Sequence, residues 1–109
     1  MPPKKLDRAR VYVHSTFNNT ILTLTDMNGD VITWVSPGTL GFKGSRKGTP
    51  YAAQLAAERL IERMKNYGIK SVVVMVKGTG SGRNSVIQTL KGSGIRVEDV
   101  KNITPVSHS

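Results

Sequence analysis

The chain has no cysteine among its 109 residues. That removes disulfides, thiolate metal sites and cysteine nucleophiles together. Acids are scarce too: seven Asp and Glu stand against sixteen Lys and Arg, a formal net charge of +9. Two-metal nuclease chemistry needs clustered carboxylates, and none cluster here. Asp26 and Asp30 flank an Asn-Gly turn, Glu58 and Glu62 fall on a predicted helix, and Glu98 and Asp99 lie near the end. No apolar run approaches the roughly 18 residues of a membrane span. No apolar h-region follows Lys4, Lys5, Arg8 and Arg10, so no secretory signal is visible. His14 and His108 have no matched His or acid spacing, so neither a metal site nor any other cofactor is expected.

What is present is positive charge in particular places. Such an excess predicts a polyanionic partner, RNA or DNA. An acidic membrane surface fits less well, because the one clear amphipathic helix mixes Glu58 and Glu62 with Arg59 and Arg63. Gly41-Phe42-Lys43-Gly44-Ser45-Arg46-Lys47-Gly48 holds three cations and three glycines, and no acid occurs from Val31 to Ala57. Glycine lets a backbone approach a ligand closely, Lys and Arg neutralise phosphate, and the helix expected from Thr49-Pro50 aims its N–H groups forward. The plain alternative is a solvated loop. A second loop, Lys77-Gly78-Thr79-Gly80-Ser81-Gly82-Arg83, runs from a strand into a helix, the context of a phosphate cradle. It is neither the dinucleotide fingerprint, since Arg83 occupies the third glycine place, nor a Walker A loop. Its plain alternative is a flexible connector. The turn Ser15-Thr16-Phe17-Asn18-Asn19-Thr20 offers hydrogen-bonding side chains and, in Phe17, a ring for base stacking. Taken alone, the turn is explained better as an ordinary polar turn with a half-buried Phe17.

One domain is expected from this length. Residues 1–10 read as a basic arm without hydrophobic period, 11–104 as a single α/β domain and 105–109 as a short tail. Val11–His14, Ile21–Thr25 and Val31–Val35 form a β-meander, with Asn28-Gly29 as a hairpin turn. Thr49 caps a helix with Pro50 at its first position, which runs to about Tyr67 and stops at Gly68. Val72–Val76 is a continuous apolar run, the pattern of a strand buried on both faces. A short helix from Arg83 to about Lys91 and a last strand from Ile95 complete the order βββ-α-β-α-β. This is an α/β sandwich with a mixed sheet of about five strands and two helices. Trp34 is expected in its core. Both basic loops follow strands and precede helices, so they should open on one sheet edge.

Phe17-Asn18-Asn19-Thr20, Thr25-Asp26 with Gly29, and the run from Gly41 through Gln54 resemble small-subunit ribosomal protein eleven. So do Ala56–Arg59, Tyr67–Lys70, Val74–Gly78 with Gly80, Gly82 and Arg83, and Ser93–Ile95 before Thr104-Pro105. The resemblance runs in register over about Val11 to His108 and is similar to the bacterial and organellar branch. Ser107 stands in place of a family proline before His108, and Thr79 and Ser81 stand where many relatives have proline.

The resemblance implies a ribonuclease-H-like fold without the enzyme's acids. It implies a non-enzymatic ribosomal component, in a bacterial cytoplasm or an organelle. It also implies binding to small-subunit ribosomal RNA on the platform, near the path of messenger RNA, beside small-subunit proteins six, seven, eighteen and twenty-one. The expected RNA-contacting residues are Lys4, Lys5, Arg8 and Arg10 of the arm; Phe17, Asn18 and Asn19; Lys43, Gly44, Ser45, Arg46, Lys47 and Thr49; Lys77, Gly78, Thr79, Gly80, Gly82 and Arg83; and His108. Two other classes fit parts of the pattern. One is a small nucleic-acid-processing enzyme of the same fold. The other is a mononucleotide-binding module built on Gly78–Arg83.

Overall fold

The computed structural model describes residues 6–104. Strands β1 (Arg8–Thr16), β2 (Asn19–Thr25) and β3 (Val31–Val35) form the meander, and helix α1 (Pro50–Asn66) leads to β4 (Ser71–Gly78). Helix α2 (Gly82–Lys91) leads to β5 (Arg96–Asn102). The sheet order is β3-β2-β1-β4-β5. β2 runs antiparallel to both its neighbours, while β4 and β5 run parallel to β1. This is the mixed five-stranded, two-helix architecture that the residue pattern led us to expect.

The two crossovers decide which face is covered. From β3 to β4 and from β4 to β5 the chain advances across the sheet in the same direction. Right-handed connections then place both helices on the same face. The burial pattern agrees. Val11 and Val13, Leu22 and Leu24, and Val72, Val74 and Val76 are buried, while the residues between them are not. Val73 and Met75 are only half-buried, so the apolar run in β4 does not mark a strand covered on both sides. Trp34 is likewise not core: it is 55% exposed on the uncovered face, opposite Thr23.

The helix stripe of Ala53, Ala56, Ala57, Leu60, Ile61 and Met64 is buried as its 3.6-residue spacing requires. Its alanines let α1 lie close on the sheet, and each fully buried Leu contributes about 1.5–3 kcal/mol. Gly68 takes φ 76° and ends the helix, with the Ile69 N–H donating to the Met64 carbonyl at 3.0 Å. At the β2–β3 hairpin, Asp26 Oδ1 accepts from the N–H groups of Asn28 and Asp30, both at 2.9 Å. Its carboxylate is therefore a turn device.

The first strand starts at Arg8, inside the segment expected to be an arm. Ala9 is fully buried in the core, and Arg8 pairs with Ser71 in the parallel ladder. One small apolar residue among cations carries too little periodicity to announce a strand, but its place beside β4 holds it there.

Candidate nucleic-acid interface

The strand directions bring the C-terminal ends of β1, β3, β4 and β5 to one edge of the sheet, together with the start of β2. Everything that leaves those ends is loop. The β1–β2 turn, the segment between β3 and α1, and the segment between β4 and α2 therefore share this edge. So do the N-termini of both helices. This is where ligands of α/β sheets bind.

The segment after β3 is not an open loop. It forms two 3-10 turns, Pro37–Leu40 and Gly44–Gly48. The second holds Ser45 and Arg46 exposed at its surface, and Lys43 precedes it, also exposed. Lys47 is half-buried, its aliphatic stem lying near Gly38. Thr49 caps α1 as its place before Pro50 led us to expect. Its hydroxyl donates to the Arg46 carbonyl at 2.9 Å and accepts from the Ala52 N–H at 3.1 Å. With Pro50 lacking an N–H and the Ala53 N–H bound to the Thr49 carbonyl, the first turn of α1 has little left to offer an anion. The cations, not the helix end, make this segment attractive to phosphate.

The β1–β2 turn sits between the other two segments and is gripped by both. A Cβ on Gly48 would collide with the Phe17 carbonyl oxygen and lie 2.8 Å from Asn18 Cα. A Cβ on Gly80 would collide with the Thr16 carbonyl oxygen and the Ser15 hydroxyl, and one on Gly78 with the Ser15 carbonyl oxygen. At Gly82 it would meet the Thr20 hydroxyl. Gly78, Gly80 and Gly82 are thus required by neighbouring strands within the protein. Their small size is accounted for by packing within the protein. The Gly80 N–H donates to the Ser15 carbonyl at 3.2 Å, and the Gly78 N–H donates to Thr104 Oγ1 at 2.9 Å.

On this frame the side chains face out. Phe17 is 89% exposed at the tip of its turn, neither half-buried nor part of the core. The Thr16 hydroxyl donates to Asn18 Oδ1 at 3.0 Å, and Asn19 Oδ1 accepts from the Thr20 N–H at 2.9 Å. These bonds use the amide oxygens and leave each side-chain NH2 as a donor. Lys77 and Thr79 are exposed. Arg83 Nη1 donates to the Gly78 carbonyl at 3.2 Å, which spends one of its five donors on fixing the loop.

The edge collects Lys43, Arg46, Lys47, Lys77 and Arg83 with no acid in the segments 8–25, 31–57 and 63–97. The acids lie in other segments: Asp7 just before β1 and Asp26 and Asp30 at the opposite edge, Glu58 and Glu62 on the outer part of α1, Glu98 and Asp99 on β5. Arg8 and Arg10 do not join the cluster. They stand at the far end of β1, about 20–27 Å of strand from the turn. Arg8 forms a two-pronged pair with Glu98, at 2.8 and 2.9 Å. That guanidinium, helped by the Ser71 hydroxyl, holds the Glu98 carboxyl down to about 2. Lys4, Lys5 and His108 lie outside the described residues.

Three residues at this edge have structural roles that their sequence context did not announce, and two of them, Ser15 and Thr20, were expected to offer their hydroxyls outward. Ser15 and Thr20 are buried beneath the turn with their hydroxyls 3.4 Å apart. Ser15 was readable, since it continues the inward alternation of Val11 and Val13. Thr104 reaches Gly78 across 26 residues, and no local spacing signals that bond.

Residues 9–109 match the family described as Ribosomal protein S11. The chain belongs to the ribosomal protein S11 family. It is similar to the small ribosomal subunit protein uS11 of Thermotoga maritima, with 53% identity over 100 residues, 92% of this chain and 77% of that protein. It is also similar to the uS11 of Aquifex aeolicus, with 45% identity over 106 residues, 97% of this chain and 85% of that one. Membership makes the chain a structural component of the small ribosomal subunit and not an enzyme. Of the carboxylates, Asp26 serves a turn and Glu98 an ion pair.

Proposed function

We propose that this S11-family chain binds small-subunit ribosomal RNA through the loop edge of its sheet. It lies on the platform near the messenger RNA path and beside the small-subunit proteins six, seven, eighteen and twenty-one. The reading rests on one observation above the others: five cations share an edge on two separate segments that carry no acid of their own, while Glu58 and Glu62 belong to α1 and meet the first segment at Leu40 and Phe42. Lys43, Arg46, Lys47 and Lys77 contact phosphates and set position. Arg83 braces its loop and spends its remaining donors on the RNA backbone. Asn18, Asn19, Ser45 and Thr79 supply shorter hydrogen bonds, and Phe17 stacks on an unpaired base. The rigid frame beneath presents one shape, so recognition is by shape and charge rather than by a sequence code.

The test is the salt dependence of binding to small-subunit RNA. Arg46→Ala with Lys47→Ala should lower the log–log salt slope by about 1.4–1.8 if both side chains meet phosphate. Lys65→Ala with Lys91→Ala, on exposed helix surface, is the matched control. Arg63 is unsuitable as a control, because its Nη1 donates to Thr33 Oγ1 at 2.7 Å and ties α1 to β3. Equal slopes for the two double variants would remove the loop edge from the reading.

A further inference from the structure

Leu40 and Phe42 line two clefts. One, of about 360 Å³, is completed by Gly41, Lys43 and Arg46. The other, of about 570 Å³, is completed by Thr39 and by Leu55, Glu58, Arg59 and Glu62 of α1. The two linings carry opposite signs of net charge.

The carboxylates are not explained by the fold. Glu58 and Glu62 are four residues apart on one helical face, where like charges destabilise a helix slightly. Gln54 donates to Glu58 Oε2 at 3.1 Å, but among the described residues neither carboxylate forms an ion pair. Arg59 shares the cleft and leaves it with an excess of one negative charge. No other acid occurs between Val31 and Val97, in a chain of net charge +9. Phosphate is repelled from such a rim, and the half-buried Leu40, Phe42 and Leu55 favour an apolar side chain.

We propose that this cleft docks a cationic segment of a neighbouring small-subunit protein. An apolar side chain enters between Leu40, Phe42 and Leu55, and flanking Lys or Arg residues meet Glu58 and Glu62. Leu40 and Phe42 line both clefts, so the chain joins RNA and protein through neighbouring sites. This inference does not depend on the RNA reading, and the two fail separately.

The experiment places a photo-crosslinking benzophenone residue at Arg59 in particles reconstituted from small-subunit RNA and the full set of small-subunit proteins. Crosslinked peptides are identified by mass spectrometry. The expected product is a Lys/Arg-rich peptide from another small-subunit protein. Glu58→Lys with Glu62→Lys should reduce its yield about tenfold, while incorporation of the chain and its affinity for RNA hold. Glu58→Gln with Glu62→Gln, which preserves shape, should give an intermediate loss. Crosslinks to RNA or to a second copy of this chain would overturn the proposal. So would the absence of any crosslink from particles that contain the chain, or a protein crosslink indifferent to both double variants.

Discussion

Replacing Gly80 with Ala separates two accounts of the second basic loop. If the glycine serves RNA alone, the variant folds normally and binds less well. The geometry predicts the reverse order of damage. The new Cβ would collide with the Thr16 carbonyl oxygen and lie 2.7 Å from its carbonyl carbon. Both atoms are backbone of β1 at Thr16, which is paired with Asn19 of β2, so no flexible group can move aside. Forcing a methyl into such a site costs about 1–3 kcal/mol. Straining the Gly80 N–H bond to Ser15 adds about 0.5–1.5 kcal/mol. A total of about 2–4 kcal/mol lowers the melting temperature of a domain this size by about 8–30 °C. Gly38→Ala is the comparison. Its Cβ would find only ordinary contacts, the nearest at 3.7 Å, and its φ is not left-handed. That variant should melt within about 3 °C of the parent. Thermal unfolding by circular dichroism reads both, with RNA titration alongside. A Gly80→Ala protein that melts with the parent but loses RNA affinity would refute the packing argument. The glycine would then belong to the RNA contact.

Acid titration tests the Arg8–Glu98 pair. The Glu98 carboxyl is held down to about 2 by Arg8 and Ser71, so its contribution is present above the ordinary carboxylate range and is lost as pH falls toward 2. The parent should lose stability relative to Glu98→Gln over that window, by a small amount because the pair is at the surface; parallel stability curves for the two proteins would contradict this. Incubation with Mg²⁺ or Mn²⁺ should leave RNA and RNA–DNA hybrids intact, and Asp26→Asn should change nothing but the hairpin's stability. Cleavage that copurifies with the chain and vanishes in that variant would show chemistry where a turn is described.

Much of the fold was legible because its signals are local. Thr49-Pro50 and Gly68 bracket α1, Asn28-Gly29 makes the hairpin, and the alternation in β1 and β2 gives the inward faces. What was not legible is relational. The continuous run Val72–Val76 looks two-sided, yet the direction of both crossovers leaves one face of the sheet bare. Trp34 reads as core by its chemistry and is half in solvent for the same reason. The glycines at 78, 80 and 82 announce close approach, and the approach is real, but the partner is β1 and β2. Sequence spacing says that a backbone or ligand comes near; it does not say which. For the candidate site, the segments were readable from charge and glycine, and their shared edge from strand order. The grip on the β1–β2 turn and the anchoring bond from Thr104 depend on contacts between distant residues. The diversion of Arg8 to Glu98 spans 90 positions and has no local trace.

The absence of cysteine provides a direct test of the central claim, because a single introduced thiol can be labelled without competition. An iron chelate is attached to the single variants Ser45→Cys, Thr79→Cys and Asn28→Cys, each is assembled with small-subunit RNA, and strand cleavage by hydroxyl radicals is mapped. Ser45 and Thr79 lie on the loop edge, and Asn28 lies in the hairpin at the opposite edge. The account predicts strong, overlapping cleavage sites from Ser45 and Thr79 and little or none from Asn28. Cleavage from Asn28 as strong as from Ser45, or silence from both loop positions in an assembled complex, would contradict it.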